Sequence, residues 1–334
     1  PRWKRAITLV NGSLGELVGQ SYVEKYFPPV AKAKMEDLVK NLKLAMGDRI
    51  KGNSWMSDAT KQAALEKLSR MDVMVGYPDK WRDYSALEIS GTDLFGDAER
   101  AGQFNADYQM SHLGKPVDRK LWGMTPQTVN AYNGGLENKI VFPAGILQPP
   151  FFDPNADDAV NYGGIGAVIG HEISHGFDDQ GAQYDGDGNL RDWWTESDHK
   201  NFKAKTQMLV NQYNQFEPIK GYHVNGELTL GENIADNSGL AIAYKAYKIS
   251  LKGKKAPVID GLSGEQRLYM GWAQVWRTKM REQQHIVQVK VDPHSPGQFR
   301  ANGTLRNQPG FYDAFKVKQG DKMYLAPQDR VIIW

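Results

Sequence analysis

His171-Glu172-Ile173-Ser174-His175 sets two imidazoles four residues apart, with a carboxylate directly after the first. On a helix that spacing puts both rings on one face, one turn apart, where they can share a metal ion. Glu172 stands about 100° further round, too far to join His171 as a ligand but able to reach a water beside the metal. The pattern is that of metal-assisted hydrolysis. The alternative is a pair of hydrogen-bonded core histidines. Before the motif runs Gly163-Gly164-Ile165-Gly166-Ala167-Val168-Ile169-Gly170, an apolar, small-residue stretch that suits a helix inside a domain. Two histidines and a glutamate buried there without partners would be costly.

A catalytic zinc takes three protein ligands and keeps one position open. Gly231-Glu232-Asn233-Ile234-Ala235-Asp236 offers the third. It opens a segment, 237–249, in which Leu240, Ala241, Ala243, Tyr244 and Tyr247 recur at helical spacing. Glu232 and Asp236 then share a face, so that Glu232 can ligate while Asp236 accepts the free ring N–H of a ligand histidine. Alone, such a carboxylate pair is usually a solvated helix face.

With these residues in place, the chain resembles the C-terminal half of the neprilysin and endothelin-converting-enzyme family of zinc endopeptidases. The stretches that carry the resemblance are Val129-Asn130-Ala131-Tyr132, the run from Ile140 through Pro143-Ala144-Gly145 to Phe152, Asn161-Tyr162-Gly163-Gly164, the histidine motif continuing to Gly176-Phe177-Asp178-Asp179, Gly231 to Asp236, and His294-Ser295-Pro296-Gly297. They stand in family order.

The resemblance implies one catalytic zinc held by His171, His175 and Glu232, with Glu172 as general base and Asp236 behind a ligand histidine. It implies that Asn130 and Ala131 bind the substrate backbone, and that His294 and Arg300 steady the transition state and grip the substrate. Each residue type suits its role: an imidazole can donate to an oxyanion, a guanidinium forks onto a carbonyl or carboxylate, and an edge strand pairs an extended peptide. The fold implied is α+β and mostly helical: a thermolysin-like zincin catalytic domain, residues 76–334, with part of a second helical lobe, residues 1–75, that covers the cleft. Two departures stand out. The chain ends Val331-Ile332-Ile333-Trp334, without the cysteine and arginine of animal members, and Asn133-Gly134-Gly135 follows Tyr132 where those members often carry another aromatic.

Composition narrows the rest. With 41 basic against 39 acidic residues and no long run of one sign, nothing argues for nucleic acid. The absence of cysteine rules out disulfides and zinc-thiolate sites, and fits a bacterial protein better than a secreted animal one. No apolar stretch reaches membrane-span length. Pro1-Arg2-Trp3-Lys4-Arg5 already resembles the family interior, which implies a missing N-terminal half as partner. By family analogy the protein acts in the periplasm, outside the cell or at its surface, the alternative being the cytoplasm.

Several elements must position these residues. Met35, Leu38, Val39 and Leu42 predict a helix over 31–46 that stops at Gly47, and Asp58 can cap a second through 71. With half of the family sequence missing, their apolar faces are expected to lie bare or to be covered by another chain. Ile140-Val141-Phe142 reads as the clearest strand, 197–216 as a helix, and Ser263-Gly264-Glu265-Gln266 as a capping box before a helix that ends near Arg281. Asp185-Gly186-Asp187-Gly188-Asn189 imitates a calcium loop, but Leu190 stands where that loop needs glycine, so a turn is expected. His112, His199, His223 and His285 lack ligand spacing.

The function that the resemblance implies is hydrolysis of internal bonds of oligopeptides, on the amino side of bulky apolar residues, with Glu172 handling the proton. A catalytically silent peptide-binding module and a zinc exopeptidase are the other readings.

Overall fold

Phe27-Pro28-Pro29 separates the first two helices, α1 (Arg2–Tyr26) and α2 (Pro29–Lys51), because Pro29 costs nothing in a first turn but cannot extend the helix before it. The computed structural model describes residues 1–334. After α3 (Asp58–Arg70) come β1 (Asp72–Gly76), α4 (Leu94–Met110), β2 (Tyr132–Gly134), β3 (Lys139–Pro143) and the short α5 (Asp158–Asn161). A π-helical turn, Tyr162–Gly166, leads into α6 (Ala167–His175). The C-terminal half is helical: α7 (Glu196–Tyr213), α8 (Leu230–Ser250), α9 (Gly264–Val275), α10 (Glu282–Val291), α11 (Gly297–Leu305) and α12 (Pro309–Phe315). The fold is α+β and mostly helical. No helix is long and apolar enough to cross a membrane.

The one sheet has the order β1-β3-β2, with β1 parallel and β2 antiparallel to the central β3. All five residues of β3 are buried, which is why Ile140-Val141-Phe142 reads as a continuous apolar run, and the ammonium of the buried Lys139 donates to the carbonyl oxygens of Arg119 and Leu121. The division expected at residue 75 runs through β1, whose Gly76 pairs with Pro143 of β3.

The apolar faces of 31–46 and 58–71 are not bare. α2 lies along α8, and Met35, Leu42, Met46 and Ile50 have no exposed surface in the same core cluster as Ile169 and Ile173 of α6. Gly47 lies inside α2 instead of ending it; burial of Ile50 one turn on outweighs the ~1 kcal/mol that a mid-helix glycine costs. The cap of α3 is Ser57, whose Oγ accepts from Thr60 N, and Asp58 lies in the first turn. The exposed apolar residues gather elsewhere, among them Trp3, Ile7 and Val10 of α1 and Leu94, Phe95 and Met110 of α4, two helices that pack on each other.

The capping box is present, but α9 ends at Val275, six residues early, and α10 begins at Glu282. α7 starts behind Thr195, whose hydroxyl accepts from Asp198 N. The tail holds without a disulfide: Trp334 is buried among Trp55, Phe177, Trp194 and Phe202, and Arg49 donates to its carbonyl.

Candidate metal centre and cleft

α6 and α8 form the most extensive helix pair in the molecule, and they meet backbone to backbone. A Cβ on Gly170 would stand 2.5 Å from the carbonyl oxygen of Gly239, and one on Gly239 2.4 Å from His171 N, so only glycine fits at this crossing. The contact brings the first turn of α8 beside the last two turns of α6.

The consequence is a convergence of three donors. His171 Nε2 lies 2.9 Å from His175 Nε2 and 3.2 Å from Glu232 Oε2, and His175 Nε2 lies 3.5 Å from Glu232 Oε1. Ligands about 2 Å from a tetrahedral zinc stand roughly 3.3 Å apart, so the three fit one such ion. The other ring nitrogens are already committed: His171 Nδ1 donates to Asp236 Oδ1 at 2.8 Å and His175 Nδ1 to Asp178 Oδ2 at 2.7 Å. With both protons assigned to these carboxylates, two Nε2 lone pairs face each other and a carboxylate. Glu232 Oε2 is buried and accepts no hydrogen bond. A metal ion, or failing that a proton, makes that arrangement favourable.

Electrostatics agree. Burial alone would pull the His171 imidazole down, but the Asp236 and Glu232 carboxylates beside it outweigh that and push it up to about 10, so a positive charge between these donors, whether a proton or a metal ion, is favoured. Burial works against the Glu232 carboxylate as well, yet the three histidines around it hold it well below the usual range. The Glu172 carboxyl carries no hydrogen bond, and burial pushes it up against the pull of the two imidazoles, so it is a base of raised basicity.

All nine residues singled out from the sequence line one cavity of about 630 Å³: Asn130 and Ala131 on the approach to β2, His171, Glu172 and His175 on α6, Glu232 and Asp236 on α8, His294 before α11 and Arg300 within it. A hollow of similar size, 680 Å³, lies between α2, α3 and β1, but it holds no histidine and none of this chemistry. His294 points Nε2 to within 3.2 Å of Glu232 Oε2, its Nδ1 held by Asp292. Arg300 is buried and doubly bonded to Asp236, and its guanidinium lies 3.8 Å over the ring of Trp276. Phe151, Val168, Trp272 and Trp276 give the cavity an apolar side.

Sequence reasoning assigned no role to Asp178 or Trp276. Asp178 sits three residues after His175, the helical spacing that found Asp236, and its other oxygen caps the next turn by accepting from Gln180 N and Gly181 N. Nothing in the sequence marks Trp276. The calcium-like segment is a turn, its Asp185 Oδ1 accepting from Asp187 N and Asn189 N while Arg70 takes the Asp187 carboxylate. His112 and His199 bond Tyr108 O and Asp192, away from the cluster.

The chain is similar to known proteins over its whole length. Neprilysin-1 of Caenorhabditis elegans is 41% identical over 349 residues, covering all of this chain and 46% of that protein. Human neprilysin is 38% identical, over 99% of this chain and 46% of its own length. Among solved structures, the zinc metalloprotease Zmp1 of Mycobacterium tuberculosis in complex with an inhibitor superposes with a TM-score of 0.95 at 54% identity, over all of this chain and 51% of that one. PepO of Lactobacillus rhamnosis gives 0.88 at 36% identity, over 99% and 51%. The chain thus spans about half the length of these relatives, and its fold is that of a thermolysin-like zincin. Residues 1–78 and 130–331 each match a profile described as peptidase family M13, and with the site geometry this establishes that the chain belongs to peptidase family M13.

Proposed function

We propose that the chain is the catalytic half of a zinc-dependent endopeptidase that cleaves internal bonds of oligopeptides, on the amino side of bulky apolar residues. The observation that carries this reading is the convergence of three donor groups, His171 Nε2, His175 Nε2 and the Glu232 carboxylate, in the cavity that also holds the buried Glu172. Zinc held there supplies a Lewis acid that acidifies water and polarises a carbonyl.

The remaining work belongs to the chain. Glu172 accepts the proton of the attacking water and returns it to the leaving amine. His294 donates from Nε2 to the developing oxyanion. Arg300, held by Asp236 and Trp276, turns its free Nη1 toward a substrate carbonyl. Asn130 and Ala131 pair an extended peptide, and the side formed by Phe151, Val168, Trp272 and Trp276 takes an apolar side chain.

The helical lobe that limits access reduces to α1 and α4 in this reading, and their exposed Trp3, Ile7, Val10, Phe95 and Met110 are covered by polypeptide that the longer relatives carry. Its place is the periplasm or the cell exterior, as the resemblance to neprilysins suggests. An internally quenched peptide blocked at both ends tests the function in the full-length protein. Cleavage supports the endopeptidase, binding without cleavage would establish the silent module, and cleavage only after a terminus is unblocked would establish the exopeptidase.

A further inference from the structure

One hydrogen bond in the cleft belongs to none of the roles above. Asn133 Nδ2 donates to the main-chain oxygen of Glu172 at 2.7 Å. That oxygen is free because α6 tightens as it ends: Gly176 N, its partner in a regular helix, bonds Ile173 O instead. The carbonyl of the proposed general base is thus an orphan of the helix end, and a side chain from the sheet satisfies it. The donor is firmly mounted, since Asn133 pairs with Ile140 in the β2–β3 ladder. It follows Asn130, Ala131 and Tyr132 directly, the stretch proposed to hold the substrate backbone.

We infer that Asn133 is a positioning residue: its amide fixes the backbone of Glu172 at the end of α6 against the strand that carries the peptide. The inference rests on the peptidase reading. A bond from the substrate-binding strand to the base's own backbone sets the separation between Glu172 and the scissile bond, whichever peptide lies on the strand. The role needs an amide N–H within reach of that carbonyl, which an aliphatic side chain at this position cannot supply. Displacements of about 1 Å cost up to ~10²-fold in rate, and the metal ligands are fixed separately by Asp178, Asp236 and the helix crossing, so the loss falls on turnover and not on metal binding.

The test compares Asn133→Leu, which keeps the volume and loses the donor, with Asn133→Gln, which keeps an amide, in the full-length protein on a blocked peptide. The expected result is a fall in kcat of at least about 10-fold for Asn133→Leu, with KM within about 2-fold of wild type and one zinc retained, and at least partial recovery in Asn133→Gln. Wild-type kcat in Asn133→Leu, an equal loss in both variants, or a loss accompanied by departure of zinc would overturn the inference while leaving the peptidase reading intact. A wild-type protein that binds zinc and cleaves nothing would overturn both.

Discussion

Asp236 and Arg300 form a buried two-point ion pair, Nε to Oδ2 at 2.7 Å and Nη2 to Oδ1 at 2.6 Å, and the same Oδ1 accepts from His171 Nδ1. One carboxylate therefore orients one of the three converging donors and neutralises a guanidinium. Asp236→Ala should weaken zinc binding by roughly 10- to 100-fold through the histidine. It should also cost about 3–5 kcal/mol of stability, because Arg300 is left charged and unpaired in the interior. Competition with a fluorescent chelator and urea unfolding measure the two effects separately. An unchanged zinc dissociation constant would remove Asp236 from the site.

Glu172→Gln keeps all three donors and removes the base. Elemental analysis should find one zinc per chain, as in the wild type, while the rate on a blocked peptide drops by roughly 10²- to 10⁴-fold. Near-normal turnover would refute the assignment.

Asp198 offers a prediction about acid. Its carboxylate is 1% exposed and accepts from Ser57 N and from the hydroxyls of Ser57, Thr60 and Thr195, tying the start of α3 to the start of α7. Burial raises its pKa, but these hydrogen bonds outweigh that and lower it to about 2 from the ordinary 3.8. A depressed folded-state pKa stabilises fully above the unfolded value, and the contribution disappears as pH falls through the folded one. Asp198→Asn should therefore cost about 2 kcal/mol near neutrality, and the gap to wild type should narrow between pH 4 and pH 2. Urea unfolding at both ends of that window checks it; a gap that does not change with pH would show that the carboxylate's charge is immaterial.

Leu42 tests the packing of α2. It is wholly buried between α2 and its neighbours, so Leu42→Ala should destabilise by about 2–5 kcal/mol, as in the middle of a core. A shift below 1 kcal/mol in chemical denaturation would mean that α2 contributes little to the fold of this segment.

The site was legible in the sequence because helical spacing is a local rule. His171, His175, Glu232 and Asp236 each sit a fixed step from a partner, and the structure brings all of them together with Glu172. His294, Arg300, Asn130 and Ala131 came through resemblance, since no spacing links them to the motif. β1 was missed because a five-residue edge strand has too few turns of its pattern to register, and α4 because its face, with Ala101 as its single buried residue, has almost no apolar stripe. The burial of α2 could not be read either: its apolar stripe is clear, but which surface it covers depends on α8, some two hundred residues away. Asn133 escaped for a related reason, as its partner is a backbone carbonyl that the sequence does not single out.

The glycine crossing of α6 and α8 also bears on what becomes of the site without its ion. With Gly170 and Gly239 in direct backbone contact, the stretches that carry His171 and Glu232 cannot be drawn apart by the swing of a loop, because the two helices have no slack between them. Parting those backbones requires the central helix pair itself to open, an event as rare as local unfolding of the core. The spacing of the donors should accordingly outlast removal of the ion, leaving a preformed site for its return.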